Sequence, residues 1–390
     1  ASNQDISFSF WNPALFSNAE GMEIYASGAI VMPSMDVTVN SASDPGGNAL
    51  SGKAPDDVVN TTVVPSVYFA LPVTSSTVLG ASLNVPYGLS GKYGKDWAGR
   101  YHSAETAVQD IALSLSLAQK IGSIGSVGVS AQIHKGSVLL ASSLTDFSGG
   151  NSSAGDGYAE LEADDIAYAY SIGLALEPLD GTRIGVGYRS EVEYTFEGSA
   201  DYTNVSPTLA ALGVDEAYLF DELSFPSVLT MSLEQDLGDR LTLGATAMKT
   251  GRGVLDEMRI AFDNGDDGIK QPDSVLTFNF EDQWFYSTGL TYQFSDQLTL
   301  RGGYAQDNSP AKDAYRSART PDGDREWLSL GGSYEFTGGG ELTAAYTYVM
   351  IDDVSVVRDG SMDEDASRGK LDADYETNAS VFSIAYSTSF

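Results

Sequence analysis

The sequence predicts an all-β protein: a transmembrane antiparallel β-barrel of 14 strands, with a short N-terminal hatch segment in its lumen. Three observations carry this. Apolar residues alternate with small or polar ones at a period of two through most of the chain. The residues between the apolar ones are mostly Ser, Gly, Ala and Thr, not Lys and Glu. Short turn-like links also alternate with long polar stretches.

The last ten residues give the pattern plainly: Phe382, Ile384, Tyr386, Thr388 and Phe390 alternate with Ser383, Ala385, Ser387 and Ser389. The same period runs through Leu342–Met350, Leu328–Phe336, Trp284–Phe294 and Ile111–Leu117. Further upstream, Ile184, Val186, Tyr188, Val192, Tyr194 and Phe196 read as one apolar face. Gly185, Gly187, Arg189, Glu191, Glu193 and Thr195 form the opposite face. A sandwich strand exposes Lys, Glu and Thr to water. Small polar residues facing inward, with an aliphatic band and aromatics near the strand ends facing outward, mark a barrel in lipid.

Short links fall at residues 73–76, 122–125, 177–181, 236–239, 295–297 and 337–340. Long stretches fall near 41–60, 88–103, 144–163, 202–222, 263–274, 308–324 and 357–370. Six short and seven long connections join fourteen strands, and an even number leaves both termini on the periplasmic side. No run of 18 apolar residues predicts a transmembrane helix. With no basic–apolar leader before Ala1, the chain reads as mature or trimmed.

Composition narrows the function. The formal charge of −33 argues against a nucleic-acid binder, which needs a basic footprint. The absence of cysteine removes disulfides, thiolate metal sites and cysteine nucleophiles. Only His102 and His134 are available for histidine chemistry. Neither has a partner at a diagnostic spacing, so no catalytic residue, metal site or cofactor is expected. Acidic clusters at Asp56-Asp57, Asp164-Asp165, Asp266-Asp267 and Asp363-Glu364-Asp365 lack EF-hand spacing and read as solvated loop.

Two places break the strand pattern. In the third strand, Pro86-Tyr87-Gly88 puts a residue without an N–H in the ladder, with glycine two positions on. This predicts either a gap in the wall or a strand end at the membrane rim. Residues 1–20, which contain Trp11-Asn12-Pro13-Ala14-Leu15, lack sustained alternation. They read as a tail or as a plug in the lumen, for which a fourteen-strand barrel has room.

These motifs resemble the FadL/TodX family of outer-membrane transporters for long-chain fatty acids and other hydrophobic compounds. Asn12-Pro13-Ala14 is similar to the family's hatch triplet, and Asn84-Val-Pro-Tyr-Gly-Leu89 to its kinked third strand. Tyr188-Arg-Ser-Glu-Val192 resembles a family strand motif. Asp307-Asn-Ser-Pro310, Arg316, Pro321-Asp-Gly-Asp-Arg325 and Trp327-Leu-Ser329 follow in family order. The eleven residues before Asn12 are fewer than the family's hatch usually carries.

The resemblance implies capture of ligand by the extracellular loops, a hatch rearrangement, and lateral exit at Pro86, Tyr87 and Gly88. It also implies an outer-membrane protein without enzyme activity, expected to be monomeric and bounded by outer-membrane lipid. Leu140 and Leu276 stand near the positions where fatty-acid members carry basic residues, and Asp307 matches an acidic neighbour. The apolar loop stretches Val138-Leu-Leu140 and Leu209-Ala-Ala-Leu212 read either as capture surface or as packing between loops, and the expected ligand-contacting residues are Leu140, Leu209, Leu212, Leu276 and Asp307. The expected ligand is a neutral hydrocarbon or a neutral lipid-like compound unless Arg189, Arg259 or Lys135 supplies a charge for a fatty acid. The rival functions are a general porin for small polar solutes and a lipid hydrolase using His102.

Overall fold

The computed structural model describes residues 5–55, 58–146, 153–214, 217–263 and 271–390. Fourteen antiparallel strands close into one barrel, each paired with its neighbours in sequence. The first six are β1 (Glu23–Ser43), β2 (Thr62–Pro72), β3 (Thr77–Lys92), β4 (Glu105–Ile121), β5 (Gly125–Leu144) and β6 (Gly157–Leu179). Four strands then come in two pieces: β7 (Thr182–Arg189, Val192–Thr203), β8 (Ala217–Phe225, Val228–Asp236), β9 (Leu241–Thr250, Glu257–Asp263) and β10 (Ser274–Thr277, Gln283–Gln293). The last are β11 (Leu298–Asp307), β12 (Arg325–Glu335), β13 (Glu341–Ile351, Val354–Arg358) and β14 (Lys370–Ser389). β1 and β14 pair from Glu23↔Ser389 to Ser43↔Lys370, which seals the cylinder.

Exposure is inverted relative to a soluble protein. On β4, Leu113, Leu115 and Leu117 are exposed while Ser114 and Ser116 between them are buried. Ser116 reaches Ser130 on β5 at 2.6 Å inside the barrel. An outward aliphatic face is stable only in hydrocarbon, and a closed sheet is the β-arrangement that leaves no backbone edge unpaired there. Exposed Tyr286 on β10 and Phe294 just past its end stand eight residues apart. At about 3.3 Å per residue and a tilt of roughly 40°, that is a rise of about 20 Å, close to the height of an outer-membrane apolar band.

The apolar face of β7 does not run straight through. Below the break, Gly187 and Arg189 point inward; above it, Val192, Tyr194 and Phe196 are the inward, fully buried residues. The register explains this: Ser171↔Arg189 becomes Asp164↔Glu197, so β7 carries one extra residue opposite β6. Ser190 absorbs it, donating its N–H to Tyr170 O and accepting the Tyr170 N–H on Oγ. One inserted residue turns every later side chain to the other face. The single apolar face read from Ile184 to Phe196 is thus two half-faces, one toward lipid and one inward.

The upper pieces of β7, β8 and β9 consequently fill the loop end of the lumen with an apolar core. Phe196, Leu219, Phe225, Met258, Ile260, Phe262 and Leu276 belong to it. A second core joins loop residues Val58, Tyr93 and Trp97 to Val356 of β13 and Tyr375 of β14.

The lipid-facing assignment makes a stability prediction. Leu115→Arg, near mid-strand, should lower the unfolding free energy in bilayers by about 2–4 kcal/mol. Leu115→Ala should cost less, with both read by denaturant titration of barrel folding.

Candidate functional site

The N-terminal segment lies inside the barrel at the turn end. Two short 3-10 turns, Ile6–Phe10 and Pro13–Asn18, follow N-caps at Asp5 and Asn12. Asn12 is fully buried; its Nδ2 donates to Leu174 O at 3.0 Å and its Oδ1 accepts from Ala14 N at 3.1 Å. Ser126 Oγ donates to Ala14 O at 3.1 Å. The strands meet this segment with glycine. A Cβ at Gly173 would overlap Asn12, at Gly187 Trp11, at Gly128 Pro13 and Ala14, and at Gly80 the Phe16 ring. Four inward glycines on β3, β5, β6 and β7 therefore form a cradle that any side chain would fill. Ile6, Phe10 and Phe16 pack on Tyr68, Ala70, Val78 and Ala118.

The wall is interrupted between β2 and β3. Their ladder runs from Pro72↔Val78 up to Val67↔Leu83. Above that level Thr62–Ser66 pair with β1, and Asn84 and Tyr87–Lys92 with β4. Lys92 N donates to Val58 O at 2.7 Å, which bounds the interruption above. Val85 and Pro86 are the bulge, since Asn84↔Ala112 is followed by Tyr87↔Asp110. The bulge turns Tyr87 inward, where its Oη donates to Pro226 O on the far side of the lumen at 2.9 Å. A cavity of about 1190 Å³ lies at the interruption. Its lining includes Val64 and Pro65 of β2, Gly88 and Leu89 of β3, and Val138 and Ala163 deeper in.

A second cavity, about 1010 Å³, opens among the long loops. Leu140, Leu209, Leu212 and Leu276 all line it, with Leu161, Ile260 and Phe262. Between the two cavities a pocket of about 20 Å³ shares Leu140, Leu161 and Ile260 with the loop cavity, and Val138 and Ala163 with the wall cavity. An apolar lining therefore runs from the loops to the wall interruption.

Charge in the loop cavity comes from residues the sequence reading did not single out. Arg319 is buried, donating to Glu105 O (2.9 Å), Thr106 Oγ1 (2.8 Å) and Ala141 O (3.1 Å). Its Nε has no partner, and no carboxylate pairs with it among the described residues. Burial, helped by Arg368, pushes it down to about 9, still protonated at neutral pH. Of the three cations expected to meet an acid, Arg259 lines the cavity but is paired with Glu257 and Asp273. Lys135 is exposed beside Asp164, and Arg189 lies over the Phe10 ring of the N-terminal segment. Asp307 lines neither cavity; it accepts from Gln283 at 2.6 Å and from Arg325 at 2.9 Å.

The acidic cluster at residues 363–365 is not simply solvated. Glu364 pairs with Arg358 and Arg368, and Asp365 with Arg358. The two are held in place because two arginines, Arg358 and Arg368, converge there. Asp56-Asp57 and Asp266-Asp267 lie outside the described residues. His102 is buried beside this cluster, its Nε2 without a partner. His134 meets Asp110 at 3.0 Å and Gln132 at 3.3 Å in the lumen, with Tyr194 Oη donating to the same carboxylate at 2.8 Å. Among the described residues, neither histidine side chain is hydrogen-bonded to a hydroxyl group.

The chain matches, over residues 1–390, the family described as outer membrane protein transport protein (OMPP1/FadL/TodX). The chain belongs to the FadL/TodX family. An outer membrane protein of Neisseria meningitidis serogroup B is 26% identical, covering 99% of this chain and 90% of the relative. The long-chain fatty acid transport protein of Escherichia coli O6:H1 is 25% identical, covering 87% of this chain and 79% of the relative. Among solved structures, a Pseudomonas aeruginosa FadL homologue superposes with a TM-score of 0.89 at 21% identity, covering 99% and 94% of the two chains. The Pseudomonas putida toluene transporter TodX superposes at 0.71 and 18% identity, covering 100% and 96%. The family membership assigns the chain to hydrophobic-compound transport in the outer membrane.

The buried histidine sets a pH dependence for the loop end. Burial, then Arg368, Arg358 and Arg319, push His102 down to about 3 from an ordinary 6.5. The unfolded chain binds the proton first, so the stabilisation is complete above about pH 6.5 and is lost as pH falls toward 3. Hydrogen exchange of residues 97–104 should accelerate across that window, and His102→Gln should flatten the profile.

Proposed function

We propose that this family member is a passive outer-membrane channel for long-chain fatty acids and similar amphipathic acids, with lateral exit between β2 and β3. The observation that carries the reading is the apolar lining from the loop cavity, through Leu140 and Leu161, to Val138 and Ala163 at the wall interruption. Loops face the outside and both termini the periplasm. Ligand enters among Leu140, Leu209, Leu212 and Leu276. Leaving through the wall into hydrocarbon keeps its apolar area out of water, worth ~25 cal/mol per Å². A ligand exposing about 400 Å² would lose ~10 kcal/mol by passing instead into an aqueous lumen. No energy source is required for that route.

Arg319 supports an acid head group. It is the buried cation of the loop cavity that no described carboxylate neutralises. An anion there would gain a charge-assisted hydrogen bond in a site already stripped of water. A neutral hydrocarbon would leave that charge as it is. The reading as a general porin for polar solutes is opposed by the apolar segment occupying the turn end of the lumen. The hatch, centred on Asn12, Pro13 and Ala14, would have to shift before ligand passes below the opening.

Two measurements test this. Pro86→Thr combined with Gly88→Val should restore strand geometry beside β2 and cut uptake of a labelled fatty acid about tenfold. Unchanged uptake by a folded barrel removes lateral exit. Arg319→Met should weaken binding of a fatty acid by about tenfold or more, the worth of a hydrogen bond to a charged group. Binding of the matching fatty alcohol should hold, and an equal loss for both overturns the acid preference.

A further inference from the structure

Arg189 ends the lower piece of β7, just before the inserted residue. Its guanidinium lies 4.3 Å from the Phe10 ring, 5.5 Å from Trp11 and 5.8 Å from Tyr87. Nη2 donates to Tyr87 Oη at 3.4 Å, and Tyr87 in turn packs edge-on against Phe225. The side chain is 5% exposed, Nη1 is buried without a partner, and no described carboxylate pairs with it. A buried cation without a counter-ion is costly unless something else stabilises it. Here the negative faces of three rings take that part. Two of those rings belong to the N-terminal segment and the third to the kinked piece of β3.

The segment is held on one side and free on the other. Gly80, Gly128, Gly173 and Gly187 grip it along β3 and β5–β7. Phe8 faces about 390 Å³ of open space, walled by small residues such as Thr246, Ser287, Gly331 and Ala345. The N-terminal segment therefore has room to move away from β7 without unfolding the barrel.

We propose that Arg189 is a positioning residue that locks the N-terminal segment to the kinked strand, so that Phe10, Trp11 and Tyr87 shift together. Withdrawal of the two hatch rings strips Arg189 of most of its stabilisation, loosens Tyr87, and frees the β3 edge of the wall interruption. This rests on the reading that ligand leaves through that interruption, and it names the group through which the hatch acts on it.

The cysteine-free chain makes the test direct. A nitroxide on Ser90→Cys, at the β3 edge, reports motion there, and hydrogen exchange of residues 6–16 reports the hatch. Asn12→Ala removes the Leu174 and Ala14 hydrogen bonds and loosens the hatch. With Arg189 present, that loosening should raise the mobile fraction of the Ser90 label severalfold. In Arg189→Met the label should be mobile from the start, and Asn12→Ala should add nothing. Arg189→Lys, which keeps a cation, should restore part of the coupling, and it serves as the comparison if the Met variant does not fold. A hatch that exchanges faster while the label stays unchanged overturns the proposal, as does an equal response to Asn12→Ala in the Met and Arg proteins. If coupling holds but the Pro86/Gly88 pair leaves uptake unchanged, the exit reading fails while the lock stands. If uptake falls but the label does not respond, the lock alone fails.

Discussion

In hydrocarbon an unpaired backbone N–H or C=O costs several kcal/mol, and this constraint governs the rest of the structure. It forces the chain into a closed ladder, sealed by twenty register pairs between the first and last strands. It also makes any interruption of the ladder expensive. The one between β2 and β3 carries a proline on each edge, Pro65 and Pro86, and neither has an N–H to leave unpaired. Lys92 N closes it above and the Val67↔Leu83 pair below, so the interruption is bounded at both ends. The same residues that prevent pairing also lower the cost of its absence.

Much of this architecture is legible in the sequence because period two is a strong signal. Alternation gives the strands, and link lengths give their number. Asn12-Pro13-Ala14 and Pro86-Tyr87-Gly88 stand out because they interrupt that signal. What alternation hides is a change of face. Ile184 to Phe196 is apolar at every even position except Ser190, yet Ser190 shifts the register and turns Tyr194 and Phe196 inward. A hydrophobic residue fits either lipid or an apolar core, so residue type alone cannot choose between them. The clue is the Arg-Ser-Glu interruption, polar residues on both faces of a strand that should have one apolar face.

The loop cavity was legible by type and not by partner. Leu140, the Leu209–Leu212 stretch and Leu276 are far apart in sequence and meet in one lining. Their convergence depends on where the upper strand pieces tilt, which no local spacing encodes. Arg319 was missed for a related reason. Loop arginines are common and mostly solvated, and only burial among the Glu105 and Ala141 carbonyls distinguishes this one. Arg316, three residues earlier, looks identical in sequence but is neutralised by Asp313. The net charge of −33 gives no hint of it either, since a sum over the chain does not say which cation is buried.

Strand β3 brings the parts together. Gly80 lies under Phe16 of the N-terminal segment, and Pro86, six residues on, sets the bulge. Between them Leu83 ends the pairing with β2 while Asn84 accepts from Tyr68 at 2.6 Å on the lumen side. Tyr68 belongs to the same apolar cluster as Phe10 and Phe16. The inner face of β3 is therefore packed against the N-terminal segment immediately below the point where its edge comes free. A rigid barrel with a plug could have placed these features anywhere on its circumference. Their sharing one strand puts the N-terminal segment in direct contact with the strand that borders the interruption.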